Sequence, residues 1–345
     1  MNTVHHQHES PWPYRLARVL VCATFPLIWV GSLVTTTVAG MAVPDWPDTY
    51  GYNLFLYPWQ TWIFGPWDLF VEHGHRLFGA LVGILTIGLF VAVWLRDNGS
   101  RRWMRMVALV ALVLVILQGM IGGVRVLAVE RTLAMIHGCV GPAFFALCAA
   151  MAVFLSPLWR NGLWRGETPR NQDPAASKLH RISLVTLALA YVQIVFGALV
   201  RHVPLTASSG TFRAAVLLHL FMAFVLTIHI AMLCWHVFRN YHGVAALWRP
   251  AAALGLLMGI QLGLGAATWV VKFGWPVWIG EQRWNAGFIV MAESWFQTNV
   301  ITAHVATGSL ILVTSLVLAL RGLRLMRGVP ERDREFSSVR IGVFA

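Results

Sequence analysis

The stretch "VEHGHRLFGALVGILTIGLF", residues 71 to 90, decides the fold. From residue 77 to residue 95 the chain carries no Asp, Glu, Lys or Arg, enough for a helix to cross a hydrocarbon core that needs about 20 residues. Yet Glu72, His73, His75 and Arg76 are packed into the five positions just before that run. Ionisable groups at a membrane are costly unless they pair or act. The apolar run makes the segment a membrane span, and its polar head marks a place for chemistry.

Seven further windows are equally free of charge: 19 to 44, 106 to 124, 132 to 159, 182 to 200, 214 to 238, 250 to 271 and 294 to 320. The apolar runs are continuous rather than alternating, which excludes a closed β-barrel. Hydrophobic residues make up 58% of the 345 and charged residues 12%, far from the composition of a soluble domain. The expected fold is an all-α integral membrane protein with eight transmembrane helices. A signal peptide over residues 15 to 42 is disfavoured, because the apolar run of about 25 residues exceeds the usual hydrophobic region of one.

The 26 Lys and Arg set the orientation. With a cytoplasmic N-terminus, 19 of them fall in segments 1–18, 96–105, 157–181, 239–249 and 321–345, on the inner side. The outer side then holds Arg125, Arg131, Arg201, Arg213, Lys272 and Arg283, with Arg76 at the mouth of the second span. The positive-inside rule places both termini in the cytoplasm. The net charge of +12 is therefore a topology signal facing anionic lipid, and no nucleic-acid partner is implied. Cys22, Cys139, Cys148 and Cys234 all lie within spans and imply no disulfide.

The polar segment "LWRNGLWRGETPRNQDPAASK" separates the spans four and four. The division is residues 1–156, an inner linker 157–178, residues 179–320 and a cytoplasmic tail 321–345. Two pseudo-symmetric four-helix bundles are expected, because short patterns repeat. On the odd spans, Gln118, Gln193 and Gln261 each precede a glycine by one helical turn, at Gly122, Gly197 and Gly265. The first span offers only Gly31 in that register. Each even span carries a histidine near its outer end with Gly or Ala four residues later, at His75, His137, His219 and His304. Any one such histidine could cap a helix. Four at matching places suggest two bis-histidine clamps, each holding a planar macrocycle through its iron, with a small residue one turn away leaving room for the ring. Structural zinc fits less well, since it takes four close ligands and each half offers two.

The halves differ at one position. Three residues before the four histidines stand Glu72, Ala134, Val216 and Ile301, so only the first half has an ionisable group there. At i, i+3 a carboxylate shares the face of the histidine. Pairing with Arg76 at i+4 alone is the plainer role for it. If it does more, the first half is a reactive site and the second an electron relay.

"EHGHRLFG" (72–79), "TTTVAGMAVPDWP" (35–47), "LQGMIGGVRV" (117–126) and the contexts of His137, His219 and His304 together resemble the haem A synthase family over nearly the whole chain. The resemblance implies an eight-helix oxidoreductase of the cell membrane that oxidises the C8 methyl of haem O to the formyl group of haem A, for terminal oxidases. It implies that His75 and His137 ligate the substrate haem O, that His219 and His304 ligate haem b, and that Glu72 is needed for turnover. Haem O synthase, a terminal oxidase and an electron acceptor of unspecified identity are the implied partners, in a lipid bilayer. Bacterial relatives often carry a cysteine pair in the first outer loop, where this sequence has Val43 and Thr49.

Oxidising a methyl group requires a group to take protons or to stabilise developing positive charge, and Glu72 suits either task. Haem propionates need cations, and Arg76, Arg125 and Arg201 stand at outer helix ends where a guanidinium can grip a carboxylate. Interfacial anchoring is the plainer role for each arginine. The loop 42–70, with Trp46, Trp59, Trp62 and Trp67, suits an aromatic belt or a lid. Two rivals share the histidines: a bis-haem quinone oxidoreductase of cytochrome b type, which would not need Glu72, and a haem transporter or chaperone, which would lack turnover.

Overall fold

The computed structural model describes residues 11–96, 102–161, 174–204, 206–275 and 294–327. Eight long helices occupy the eight windows: α1 (Trp12–Thr36), α2 (Trp67–Arg96), α3 (Arg102–Leu127), α4 (Arg131–Leu155), α5 (Pro174–His202), α6 (Ser209–Asn240), α7 (Ala245–Phe273) and α8 (Trp295–Arg327). Among the described residues the rest of the helical structure is short: a single 3-10 turn, Ala39–Met41, and two five-residue helices, Trp59–Ile63 and Pro157–Asn161. No strand is found among the described residues, only an isolated bridge between Thr49 and Tyr52. The expected all-α fold with eight spans is what the chain adopts.

Two of the helix ends that differ from the charge-free windows do so for a clear local reason. The first window runs on to Pro44, but α1 stops at Thr36. There the hydroxyls of Thr35, Thr36 and Thr37 turn back onto the carbonyls of Gly31, Ser32 and Leu33, and Val38 takes a left-handed conformation that ends the helix. The second window opens at residue 77, whereas α2 begins at Trp67. Glu72, His73, His75 and Arg76 therefore lie inside its first three turns or so rather than at its mouth.

Hydroxyls in the spans follow the same rule as those at the end of α1. Thr24, Thr86, Ser183, Thr227 and Thr314 each donate to the carbonyl four residues earlier, so no partner is asked of the surroundings. Many large apolar side chains point outward, including Leu217, Phe221, Phe224, Ile84 and Leu256. Surface of that kind suits lipid rather than water.

Within the first half, α1 packs on α2, α2 on α3, α3 on α4 and α4 back on α1. In the second half, α5 to α8 close a ring in the same order. The halves meet where α8 packs on α1 and α4, and α4 on α5. The inner part of each ring is filled, by Leu20, Val82, Leu89, Phe144 and Met151 in the first and by Leu179, Ile230, Leu233, Leu254 and Leu318 in the second. The outer part is where the histidines lie.

Candidate functional site

His75 on α2 and His137 on α4 face each other across the first ring, their centroids 6.3 Å apart and their planes at 82°. His219 on α6 and His304 on α8 repeat the arrangement in the second ring, at 6.3 Å and 71°. A metal–imidazole bond of about 2 Å on each side separates two nitrogens by about 4 Å, and two half-rings make up the remainder. Both pairs thus have the span to share one ion. Among the described residues no group of three or more His, Cys, Asp or Glu could hold a bare metal. Two ligands per site suit an iron that brings its other four in a macrocycle.

Each histidine sits in a notch made by a glycine on the preceding odd helix. A β-carbon at Gly31 would lie 2.8 Å from Cε1 of His75; at Gly122 it would lie 3.1 Å from that of His137, and at Gly197 and Gly265 3.2 Å from those of His219 and His304. The repeated glycines are thus the seats of the rings, which their repetition in the sequence did not reveal. A β-carbon at Gly79 or Gly141, one turn from His75 and His137 on the same faces, would meet nothing within 4 Å. That open space beside the first pair is what a flat ring between them requires. The main chain of Leu27, Gln118 and Gln261, one turn before the glycine seats, hydrogen-bonds the rings of His75, His137 and His304 and so orients them.

Glu72 is 2% exposed and has both oxygens engaged. Oε1 accepts from Arg76 at 2.9 Å, and Oε2 accepts from the main-chain N–H of Val43 at 2.9 Å. Arg76 also donates to the carbonyls of Asp45 (2.7 Å), Asp48 (2.8 Å) and Val43 (3.0 Å). The pair therefore does more than neutralise itself: it fastens the loop that follows the 3-10 turn onto α2. His73, one of the four residues that crowd the head of α2, is the second fastening. It is buried, lies 3.0 Å from the Thr49 hydroxyl through Nδ1, and packs against Tyr57 and Trp62. Asp45 closes the loop on itself by accepting from the N–H groups of Tyr50 and Gly51. Burial pushes the Asp45 carboxyl up, but the N–H groups of Gly51 and Tyr50 and the Arg76 charge outweigh it and hold the carboxyl below its ordinary range.

The fastened loop covers the outer end of the first ring. Trp46 lies where a side chain on Gly123 would be, next to the seat of His137 at Gly122. Trp62 stacks on Phe70 and donates its indole N–H to the Phe70 carbonyl, while Trp59 and Trp67 are exposed. The four tryptophans thus divide between a cover and a belt.

Of the three arginines expected to grip carboxylates, Arg76 is committed to the loop. Arg125, at the end of α3, lies against Gly40 and within electrostatic reach of Glu72. Arg201, at the end of α5, crosses between the halves and donates to the Ser32 hydroxyl (3.2 Å), the Ser32 carbonyl (2.9 Å) and the Thr36 hydroxyl (2.6 Å). All three acceptors are neutral. The one ion pair among the described residues is Arg76 with Glu72, so neither Arg125 nor Arg201 has a protein carboxylate bound to it there. Arg201 also connects the two sites: it stands one turn beyond Gly197, the seat of His219, and binds the residue next to Gly31, the seat of His75.

Residues 66–216, which include Glu72, His75, Arg76, Arg125, His137 and Arg201, match a protein-family model described as "Cytochrome oxidase assembly protein" (COX15-CtaA). Two curated relatives named heme A synthase are similar. The one from Shouchella clausii is 29% identical over 186 residues, covering 53% of this chain and 56% of its own length. The one from Rhodospirillum centenum is 27% identical over 307 residues, covering 72% and 79%. Over these spans the chain is similar to the haem A synthase family. The match to the Shouchella protein extends over little more than half of that relative. The family model stops three residues short of His219, so the second pair is supported here by its geometry.

Proposed function

We propose that this chain is a haem A synthase that oxidises the C8 methyl group of haem O to a formyl group, providing haem A for a terminal oxidase. The observation that carries the reading is an asymmetry. Two histidine pairs have the same 6.3 Å span, but only His75 has a buried carboxylate, Glu72, three residues before it on its helix. A protein that only carried haem, or only passed electrons through two haems, would need Glu72 for no more than fastening the loop.

In this reading residues 1–156 form the substrate half, with His75 and His137 holding haem O. Residues 179–320 form the relay half, with His219 and His304 holding haem b. Bound there, haem b would accept electrons one at a time and pass them to an acceptor outside the chain. Methyl to formyl replaces two hydrogens by one oxygen: with water as the source of that oxygen, four electrons pass to the acceptor and four protons are released. Glu72 serves it as a fixed negative charge or as a proton acceptor beside the reacting edge, and the covering loop with Trp46 limits water. Arg125 and Arg201 supply cations for propionates. Haem O synthase is the natural source of the substrate.

The outer ends of the helices, where all four histidines lie, face away from the cytoplasm, and both chain termini lie on the cytoplasmic side of the cell membrane. A cysteine placed at Gln60, an exposed residue of the covering loop, should react with an impermeant thiol reagent added to intact cells. Protection until the cells are opened would reverse the topology.

Purified protein supplied with haem O and an electron acceptor should yield haem A among the extracted haems. Binding of haem O with no oxidised product would support a carrier. Reduction of a quinone with haem O unchanged would support the cytochrome b reading.

A further inference from the structure

The two histidine sites differ one helical turn inward from the rings. In the first half that level is open: a β-carbon at Gly79 or Gly141, four residues beyond His75 and His137, would meet nothing within 4 Å, and neither would one at Gly83, a further turn along α2. In the second half the level is occupied. α6 carries Ala223 and Thr227 where α2 carries Gly79 and Gly83, and the Thr227 hydroxyl donates to the Ala223 carbonyl at 2.7 Å. On α8 glycine recurs at Gly308, but the amide nitrogen of Gln261 on α7 lies 3.4 Å from where its β-carbon would be. Gln261 departs here from its counterparts. The amides of Gln118 and Gln193 are spent on the carbonyls of His137 and His219, at 3.3 and 3.2 Å. Gln261 holds the His304 ring with its main chain, has no such side-chain bond among the described residues, and keeps its Oε1 buried without a donor. An unpaired amide therefore borders the second site at the level that stands open in the first.

Haem O and protohaem are alike except at one edge carbon, where haem O replaces a short vinyl group by a long isoprenoid chain. That carbon lies across the macrocycle from the propionates. Arg125 and Arg201, the cations for propionates, end α3 and α5 on the outer side, and Glu72 stands outward of His75 on α2. The methyl group that is oxidised shares its pyrrole with a propionate, so both marks turn the propionate edge outward and the distinguishing substituent inward. There the first half offers open space, and the second a methyl group and a polar amide. A site rejects a ligand by filling the space it needs or by setting an unpaired polar group against its apolar part, and Ala223 and Gln261 do one each. We infer that Ala223 and Gln261 are specificity-determining residues that restrict the second half to protohaem, and that Gly79, Gly83 and Gly141 let the first half admit haem O. The inference rests on the bis-histidine reading above. Its consequence is that two clamps of like span load different haems, and the relay site is not blocked by substrate.

Full-length protein carrying His75→Ala and His137→Ala keeps the second site alone and reads its choice without turnover. Incubated with equal amounts of protohaem and haem O, it should yield protohaem over haem O by about tenfold or more among the extracted haems, and adding Ala223→Gly with Gln261→Ala should bring the ratio to about one. The converse exchange is made in protein carrying His219→Ala and His304→Ala, at positions where added atoms meet nothing. There Gly79→Ala with Gly83→Thr should cut haem O uptake about tenfold and leave protohaem uptake as it was. Haem O taken up by the unmodified second site as readily as protohaem, or ratios that move in neither exchange, would overturn the inference while the low-spin spectra of bis-histidine sites persist. Absence of low-spin haem from both parent proteins would instead overturn the underlying reading.

Discussion

Glu72→Gln is expected to leave both haem sites filled and to lower conversion of haem O to haem A by about 10² or more, the usual scale for losing a group that moves a proton or balances a charge in the transition state. The surroundings of Glu72 make the substitution a clean one. Glutamine keeps the size of the side chain, and its amide oxygen can still accept from the N–H of Val43, 2.9 Å from the native carboxylate. Arg76 keeps its three loop carbonyls, so the cover remains attached. What goes is the negative charge beside His75. Thr49→Val is the matching control, since it cuts the other fastening of the loop at His73 and leaves the charge. Haem A made at a near-normal rate by Glu72→Gln would reduce Glu72 to a loop fastener.

That double engagement of Glu72 also shows where the sequence stopped being legible. The charge pattern marked the head of α2 as special, but it also pushed the expected start of the span ten residues too late. Hydropathy counts Glu72 and Arg76 as two full charges. In the folded chain each is the other's counterion, and three loop carbonyls take the remaining donors of Arg76. The partners come from residues 43 to 48, beyond the reach of any helical periodicity. The same holds for His73, whose partner Thr49 lies 24 positions away.

The loop without cysteines follows from the same contacts. Val43 and Thr49 stand where relatives often have a cysteine pair, and here both are fully buried. Val43 is tied through its N–H to Glu72, and Thr49 through its hydroxyl to His73. Hydrogen bonds from α2 thus hold both points of the loop that a covalent link would otherwise hold to each other.

The histidines and glycines were legible as repeats because both lie on helices at fixed registers. Their relation was not. That Gly31, Gly122, Gly197 and Gly265 make room for the rings of the next helix depends on how helices pack, and one-dimensional spacing carries no such information. The glutamines are a sharper case: their repetition is plain, and what Gln118 and Gln193 do with it is donate an amide N–H across a helix interface to the carbonyls of His137 and His219. Arg201 was legible as an outer cation and not as a bridge, since Ser32 and Thr36 belong to the opposite half of the chain.

His219→Ala or His304→Ala should remove one low-spin haem per chain while the protein still inserts and the first site still loads. The expectation follows from what holds each part together. The second ring closes through packing of α5 to α8 around Leu179, Ile230, Leu233, Leu254 and Leu318, residues deeper in the helices than the histidines. The halves are joined by α8 against α1 and α4, by α4 against α5, and by Arg201 on Ser32 and Thr36. Neither His219 nor His304 is among the residues that fill this core or bridge the halves, so the scaffold has no need of the haem it holds. The haem does need both rings. With His219 gone, His304 alone faces a gap of 6.3 Å centroid to centroid, and the Gly197 notch that seats the lost ring offers no donor atom in its place. The first site should keep its haem, because His75 and His137 lie in a ring of four different helices. Haem A formation should fall with the second-half haem, since the four electrons leaving the substrate would have lost their way out. A full low-spin spectrum in either variant would show that His219 and His304 do not ligate haem, and the relay half would have to be sought elsewhere.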